Sequence, residues 1–174
     1  MENENAKIGF GGGCHWCTEG VFNSLIGINN VEQGWISSET PHDTLSEAVI
    51  VYYNETVIDL HSLISIHLHT HSCTSNHSFR EKYRSAIYYF NKEQKREIEK
   101  VINLIQPEFE LPIITKVIPF VSFKLNSENY LNYLYTRPQG SFCESSIYPK
   151  LKTLLSRFSK HVNKQKLIDN KINL

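Results

Sequence analysis

Lys7-Ile8-Gly9-Phe10-Gly11-Gly12-Gly13-Cys14-His15-Trp16-Cys17-Thr18-Glu19-Gly20-Val21-Phe22 is the stretch that decides the fold. Lys7 to Gly11 predicts a short strand, and the run of glycines ends it. An amphipathic helix then starts near Cys14, with Val21, Phe22, Leu25 and Ile26 on one face. This order sets a thiol where unpaired backbone N–H groups and the positive end of a helix dipole converge, which favours thiolate over thiol. The glycines leave the sulfur uncovered and let a substrate approach the backbone closely. Reactive cysteines are made in such places, whereas the commoner fate of a lone free cysteine is a buried core position.

Outward from this turn, Val31 to Ile36 and Ser46 to Tyr53 predict strands, with a polar turn from Ser37 to Thr44 between them. The second strand is almost all β-branched or aromatic beyond Ala48, which suits the centre of a sheet. Asp59 can cap a helix whose Leu60, Leu63, Ile64, His67 and Leu68 recur at helical spacing. A His- and Ser-rich loop is expected from His69 to Ser78, then a strand from Ala86 to Phe90. Asn91 and Gln94 form a capping box ahead of a helix carrying Ile98, Val101, Ile102 and Ile105. Thr115 to Phe123 predicts an edge strand or pair broken at Pro119. Ser127 caps a short helix to about Leu134, and beyond Pro138, Gly140 and Cys143 a last helix uses Ile147, Leu151, Leu154, Leu155 and Phe158. Lys160 to Leu174 is expected to fray. Strands and helices mixed without strict alternation give an α+β fold, a sheet with helices packed on one or both faces.

The chain has 174 residues, 40% of them hydrophobic, enough to bury one core, and no repeat or linker divides it. A single domain over residues 1–174 is expected, its core at about residues 6–158 and a tail at 159–174. Lys+Arg and Asp+Glu both number 18, so no basic surplus draws the chain to nucleic acid or anionic lipid, and a small molecule or a protein side chain is the expected substrate. The start Met1-Glu2-Asn3-Glu4-Asn5 lacks the features of a secretory signal, and no apolar stretch approaches the ~20 residues that cross a bilayer. The expected location is cytoplasmic. In that compartment the four cysteines are redox, metal or core residues rather than disulfides.

Cys14-His15-Trp16-Cys17 is also a C-x-x-C, the spacing of redox pairs, because residues three apart on a first helical turn are neighbours. Cys17 is thus either a second redox thiol or a small helix residue. A rival constellation, His67, His69, His71, Cys73 and His77, joined by Cys14 and Cys17, would make a metal site, with zinc the metal such ligands suit. The plainer reading leaves these histidines as loop and helix-end residues.

Several segments in order carry a family resemblance. The run from Gly9 to Trp35, Glu47 ahead of Val49-Ile50-Val51-Tyr52-Tyr53, Tyr83-Arg84-Ser85-Ala86-Ile87, and Gly140-Ser141-Phe142-Cys143 together resemble methionine sulfoxide reductase A over roughly Ile8 to Leu155. The resemblance implies a two-layer α+β sandwich, a mixed sheet with helices packed against it. It also implies thiol-dependent reduction of methionine S-sulfoxide, free or in proteins, with no bound cofactor, as repair of oxidative damage. By position, Cys14 would attack the sulfoxide sulfur and Glu47 would protonate its oxygen, which leaves poorly otherwise. Trp16 would wall the pocket for the S-methyl group, and the Tyr83 hydroxyl would help hold the oxygen. Cys143 would resolve the Cys14 sulfenic acid to a disulfide, reduced in turn by thioredoxin or a similar dithiol.

Three positions depart from the family pattern. His15 replaces Phe and makes the methyl pocket more polar, Trp35 replaces a Tyr, and Ser78 stands where an Asp is expected. These departures and the C-x-x-C motivate two alternatives: a diverged thiol-disulfide oxidoreductase acting on another substrate, and a metal- or redox-sensing binding protein using Cys14, Cys17 and the histidines.

Overall fold

The strand Ser46–Tyr53 (β3) is buried along nearly its whole length, as its β-branched and aromatic composition predicts, and the sheet is built around it. The structure, a computed structural model, describes residues 5–174; the acidic start before Asn5 lies outside the described residues. Ala6–Gly11 (β1) and Ile28–Ser37 (β2) flank β3, both antiparallel to it. Beyond β1 comes Ala86–Tyr89 (β4), then Lys116–Pro119 (β5), parallel to β4; beyond β2 comes Ser122–Leu125 (β6). The order is β5-β4-β1-β3-β2-β6.

The expected strand pair interrupted at Pro119 is present, but its halves sit at the two ends of this order. Two residues, Phe120 and Val121, join them, and a chain advances at most ~3.6 Å per residue, so the edges must meet. They do: the Ser38 hydroxyl donates to the Pro119 carbonyl at 2.6 Å, and Val121 N–H to the Ser37 carbonyl at 3.1 Å. The sheet therefore curls around a small core of Ile36, Ala48, Ala86 and Tyr88, packed by Ile118, Phe120 and Phe123. Gly34 permits the β2–β6 approach, since a Cβ there would lie 2.1 Å from the Lys124 carbonyl oxygen.

Helices cover the other face. They are His15–Asn23 (α1), Leu60–Thr70 (α2), Lys92–Ile105 (α3), Tyr133–Thr136 (α4), Tyr148–Arg157 (α5) and Lys164–Asp169 (α6). Phe10 of β1 stacks on Phe22 of α1 with centroids 4.6 Å apart, and Val49, Val51, Leu63, Ile64, Ile98, Val101, Leu151 and Leu154 fill the rest of the main core. Each such large apolar side chain contributes about 1.5–3 kcal/mol on burial. The α+β class with helices on a mixed sheet is what the sequence predicts; the helices occupy one face because the curl closes the other.

Local capping chemistry reads out closely. Asp59 Oδ1 accepts from Ser62 N–H at 2.7 Å, and Asn91 Oδ1 from Gln94 N–H at 2.8 Å. Gln94 returns its bond one residue early, to Phe90 N–H, because its amide also donates to the Lys7 carbonyl of β1. Elsewhere the expectations need correction. The helix expected from Ser127 to Leu134 is a 3-10 turn, Glu128–Tyr130, followed by α4, and Ser127 makes no cap. Glu19 of α1 caps α4 instead, accepting from Asn132 and Tyr133 N–H at 2.9 and 3.1 Å. His69 belongs to α2 rather than to a loop, and α1 stops before Leu25. The last helix opens with a π-helical turn, Cys143–Ile147, ahead of α5.

The C-terminal tail does not fray. Leu25 bridges to Val162, Ile26 N–H donates to the His161 carbonyl at 2.8 Å, and α6 buries Leu167. The polar majority of residues 160–174 conceals three anchors, Val162, Leu167 and Ile172, all buried. Leu167→Ala is expected to cost about 2–5 kcal/mol in denaturant unfolding, the range for deleting a buried leucine; a cost within about 0.5 kcal/mol would mean the tail is solvated.

Candidate active site

The turn between β1 and α1 is held from behind through its carbonyls. Gly11 C=O accepts from His67 Nε2 at 2.9 Å, and Gly12 C=O from Arg80 Nη1 at 3.0 Å. Gly12 is required here, because a Cβ would lie 2.4 Å from the His71 ring, whereas a Cβ on Gly13 would meet nothing within 4 Å. One glycine makes room for packing and the next leaves the approach to Cys14 open.

Cys14 is the N-cap residue of α1, and its side chain makes no capping bond. Its carbonyl accepts from Cys17 and Thr18 N–H at 3.1 and 3.2 Å, which starts the helix, and the residue is half-buried. A hydrogen bond from the Cys17 thiol draws the Cys14 pKa down, helped by the Trp16 and Cys17 N–H groups at the helix terminus; burial and the charge of Glu47 oppose it, and the net direction is down. Cys17 shifts the other way, well above the ordinary thiol range, because it donates to Cys14 and is buried. Cys14 therefore ionises first while Cys17 keeps its proton. Lys150 of α5, donating to the Thr70 carbonyl, sets a positive charge beside both sulfurs.

Glu47 reaches the same helix terminus from β3. It is 7% exposed, and its Oε2 accepts from the backbone N–H of His15 at 3.0 Å, so the carboxyl lies one residue from the thiol. Lys82 Nζ stands 3.8 Å from Oε1, and His15 Nε2 stands 3.8 Å from Oε2. Trp35 is the cross-strand partner of Glu47, its ring edge-on to His15 at 5.1 Å. His15 is 3% exposed and spends its ring nitrogens on Gly34 C=O and Asn126.

Trp16 lies in an aromatic cluster, stacked on Tyr133 at 4.3 Å and on Tyr130 at 5.6 Å, with Phe142 edge-on at 5.3 Å. Its indole N–H is buried and has no partner among the described residues. Tyr83 is half-buried, with the Lys82 ammonium 5.0 Å above its ring. Ser78, Trp35, Leu45, Phe79 and Lys82 line an open cleft of about 390 Å³. The structure thus brings Cys14, His15, Trp16, Cys17, Trp35 and Glu47 together around one helix start.

Cys143 is fully buried in the π-helical turn, and its thiol donates to the Arg137 carbonyl at 3.1 Å. The chain is helical from Ser141 onward rather than loose, and this stretch packs on α1, where Gly20 faces Ile147 and Leu134. Burial pushes the Cys143 thiol up.

The histidine-rich segment is spent elsewhere. His67 and His71 stack at 4.1 Å beneath the glycine turn, and His71 Nε2 bonds Ser85 Oγ at 2.8 Å. His69 pairs with Glu108 at 2.7 Å, and His77 is exposed. Among the described residues no group of three His, Cys, Asp or Glu side chains is arranged to hold a metal. Sequence reading missed Lys82, Gln33 and Asn126. Gln33 offered one signal, a polar residue on the inward face of a buried strand; Asn126 offered none.

The family described as peptide methionine sulfoxide reductase matches residues 6–163. Proteins named peptide methionine sulfoxide reductase MsrA from Acinetobacter baumannii (strain SDF) and Pasteurella multocida (strain Pm70) are 32% and 35% identical, over 86% and 81% of this chain and 93% and 89% of theirs. Reduced Mxr1 from Saccharomyces cerevisiae superposes with a TM-score of 0.73 at 24% identity, covering 82% of this chain and 91% of that one. Mxr1 in complex with Trx2 gives 0.61 at 22% identity, covering 75% and 86%.

The electrostatics of the two helix-start thiols can be read by alkylation. Cys14 is expected to react first, with a midpoint below the free-thiol value of about 8.5. Because the Cys17 thiol lowers the Cys14 pKa, Cys17→Ala should move that midpoint to higher pH, and Cys17→Ser, which keeps an O–H donor, should move it less. Equal rates for all four cysteines, or no response to Cys17→Ala, would contradict this arrangement.

Proposed function

The chain belongs to the peptide methionine sulfoxide reductase family, and on that premise we propose that Cys14 reduces methionine S-sulfoxide, free or in proteins, with Glu47 as its acid. One observation carries the reading: the N–H of the residue after Cys14 is donated to the carboxyl of Glu47, so nucleophile and acid share one helix start.

The Cys14 thiolate attacks the sulfoxide sulfur while Glu47 gives its proton to the oxygen. The attack forms a bond between Cys14 Sγ and the substrate sulfur; the protonated oxygen then passes to Cys14 Sγ as that bond and the substrate S–O bond break, so the substrate sulfur gains two electrons and departs as methionine while Cys14, oxidised by two electrons, carries the oxygen as a sulfenic acid. Trp16, backed by Tyr130, Tyr133 and Phe142, supplies the apolar wall for the S-methyl group. Trp35 borders the approach, and Tyr83 orients the oxygen from the Lys82 side.

Cys143 resolves the sulfenic acid: its thiolate displaces water from the Cys14 sulfur and leaves a disulfide. This requires the Cys143 turn to open, and its π-helical hydrogen bonding, a geometry met mostly as single turns at functional sites, supports that role. Cys17 is a poorer partner, because a disulfide along one helical turn is strained. A thioredoxin-type dithiol then restores both thiols; the yeast relative is seen with Trx2. We place the protein in the cytoplasm, where four free cysteines stay reduced and oxidised methionine is repaired; among the described residues no helix is long and apolar enough to cross a membrane.

Glu47→Gln is expected to slow single-turnover reduction of the S epimer by roughly 10²–10⁴-fold, the range for a general acid, with little loss of substrate binding. Reduction at the wild-type rate would remove Glu47 from the mechanism. Cys143→Ser should permit one turnover per molecule and stop thioredoxin-driven recycling, whereas Cys17→Ser should do neither. A Cys14–Cys17 disulfide with Cys143 free in peptide maps of the oxidised enzyme would reverse that assignment.

A further inference from the structure

We propose that the cleft bordered by Leu45 and Phe79 is a subsite for an apolar residue flanking methionine sulfoxide in a polypeptide, so that this chain selects protein-bound sulfoxide in apolar sequence over the free amino acid. The inference rests on the Cys14 site being the sulfoxide-reducing centre.

The cleft opens off that centre. Trp35 and Lys82 belong to both: Trp35 pairs with Glu47 across strands and sets its ring 5.1 Å from that of His15, and Lys82 Nζ stands 3.8 Å from Glu47 Oε1. Leu45, Ser78 and Phe79 line the remainder of its roughly 390 Å³. A polypeptide advances at most ~3.6 Å per residue, so a sulfoxide seated at Cys14 brings its immediate chain neighbours to this cleft. Free methionine sulfoxide has no side chain to place there.

Leu45 is 50% exposed and Phe79 68%, and large apolar side chains grouped at a cleft beside a reactive centre mark a contact surface. Phe79 does not sit on loose chain. Its N–H donates to His77 Nδ1 at 3.2 Å, and its carbonyl accepts from Tyr83 N–H at 2.9 Å. The adjacent Arg80 clamps the whole loop: Nε donates to the Ser75 carbonyl at 2.8 Å, Nη1 to the Gly12 and Tyr83 carbonyls at 3.0 and 2.9 Å, and Nη2 to the Ser72 carbonyl. Gly12 belongs to the turn that delivers Cys14, so one guanidinium fixes the Phe79 loop relative to the nucleophile. A ring held outward in this way is ordered before a ligand arrives, which lowers the entropy lost on binding.

The charged groups on the cleft are Glu81 and Lys82, both exposed and opposite in sign, so its walls carry no net charge to select an ion. Ser78 lines it where the family resemblance expects Asp, which takes away a further charge and makes the arrangement a property of this chain. A neutral apolar side chain is therefore the occupant that gains most. It removes area from water against Leu45 and Phe79, whereas a charged one meets a like charge beside every opposite one.

The test compares kcat/KM of the full-length protein, with dithiothreitol as reductant, on free S-epimer methionine sulfoxide and on capped tripeptides that carry it between serines or with phenylalanine in place of either serine. Wild type is expected to prefer a phenylalanine peptide to the serine peptide by about 10-fold, the worth of one half-buried apolar side chain. Leu45→Ser with Phe79→Ser should bring that preference below about 2-fold and leave the free amino acid unchanged, and Phe79→Leu should retain most of it. Equal wild-type values, a preference that survives the double replacement, or an equal fall on the free amino acid overturns the inference. Affinities of the same peptides for Cys14→Ser protein, with and without the double replacement, separate the two readings. Failure of wild type to reduce any of these substrates removes the reductase reading, while the phenylalanine preference in affinity, kept or lost on the double replacement, still decides the cleft.

Discussion

The backbone N–H of His15, donated across 3.0 Å to Glu47 Oε2, joins the helix that starts at Cys14 to the strand that carries Glu47. It satisfies one of the donors a helix start leaves open and sets a carboxyl at the positive end of the α1 dipole. Everything else in the fold supports that bond. Glu47 pairs with Trp35 of β2 and gives its own N–H to the Lys82 carbonyl at 2.9 Å, and β1 runs beside β3 so that its glycine turn delivers Cys14 to the same spot. His67 and Arg80 hold the turn by its Gly11 and Gly12 carbonyls, and the side of Gly13 is left open.

The two thiols at positions 14 and 17 shift in opposite directions, Cys14 down and Cys17 up. Donation by Cys17 makes Cys14 the better thiolate at the cost of making Cys17 the worse one. The C-x-x-C spacing, a redox-pair signature on its face, here sets two thiols of opposite acidity on one helical turn. Cys143 stands apart, buried and bonded to the Arg137 carbonyl, in a turn whose hydrogen bonding departs from the α-helical pattern. Cys14 is thus half-buried at its helix start, whereas Cys143 is covered.

What was legible in the sequence was what is encoded locally. The strand, glycine turn and helix around Cys14, the burial of β3, and the caps at Asp59 and Asn91 all follow from neighbours within a few residues. The illegible parts depend on distant polar partners, which leave no periodic trace. Glu19 caps a helix more than a hundred residues away, Gln33 and Asn126 meet across 93 residues, and the tail is fixed by its bridge to Leu25. The curl of the sheet was equally hidden, because only the strand order reveals that β5 and β6 must meet. His15 reads as a polar intrusion into an apolar pocket until its partners are known; in the fold it is buried and fully engaged. Local rules were broken at the functional centre, where strain and buried polarity are expected to collect.

The most direct measurement follows the oxygen. A protein with Cys17 and Cys143 both replaced by Ser, so that no thiol can resolve the product, is mixed with S-epimer methionine sulfoxide labelled with heavy oxygen, and its peptides are weighed under conditions that preserve sulfenic acids. The account predicts one labelled oxygen on Cys14 per methionine released, and none with the R epimer. An unlabelled Cys14 alongside released methionine, or label on Cys73, would contradict it.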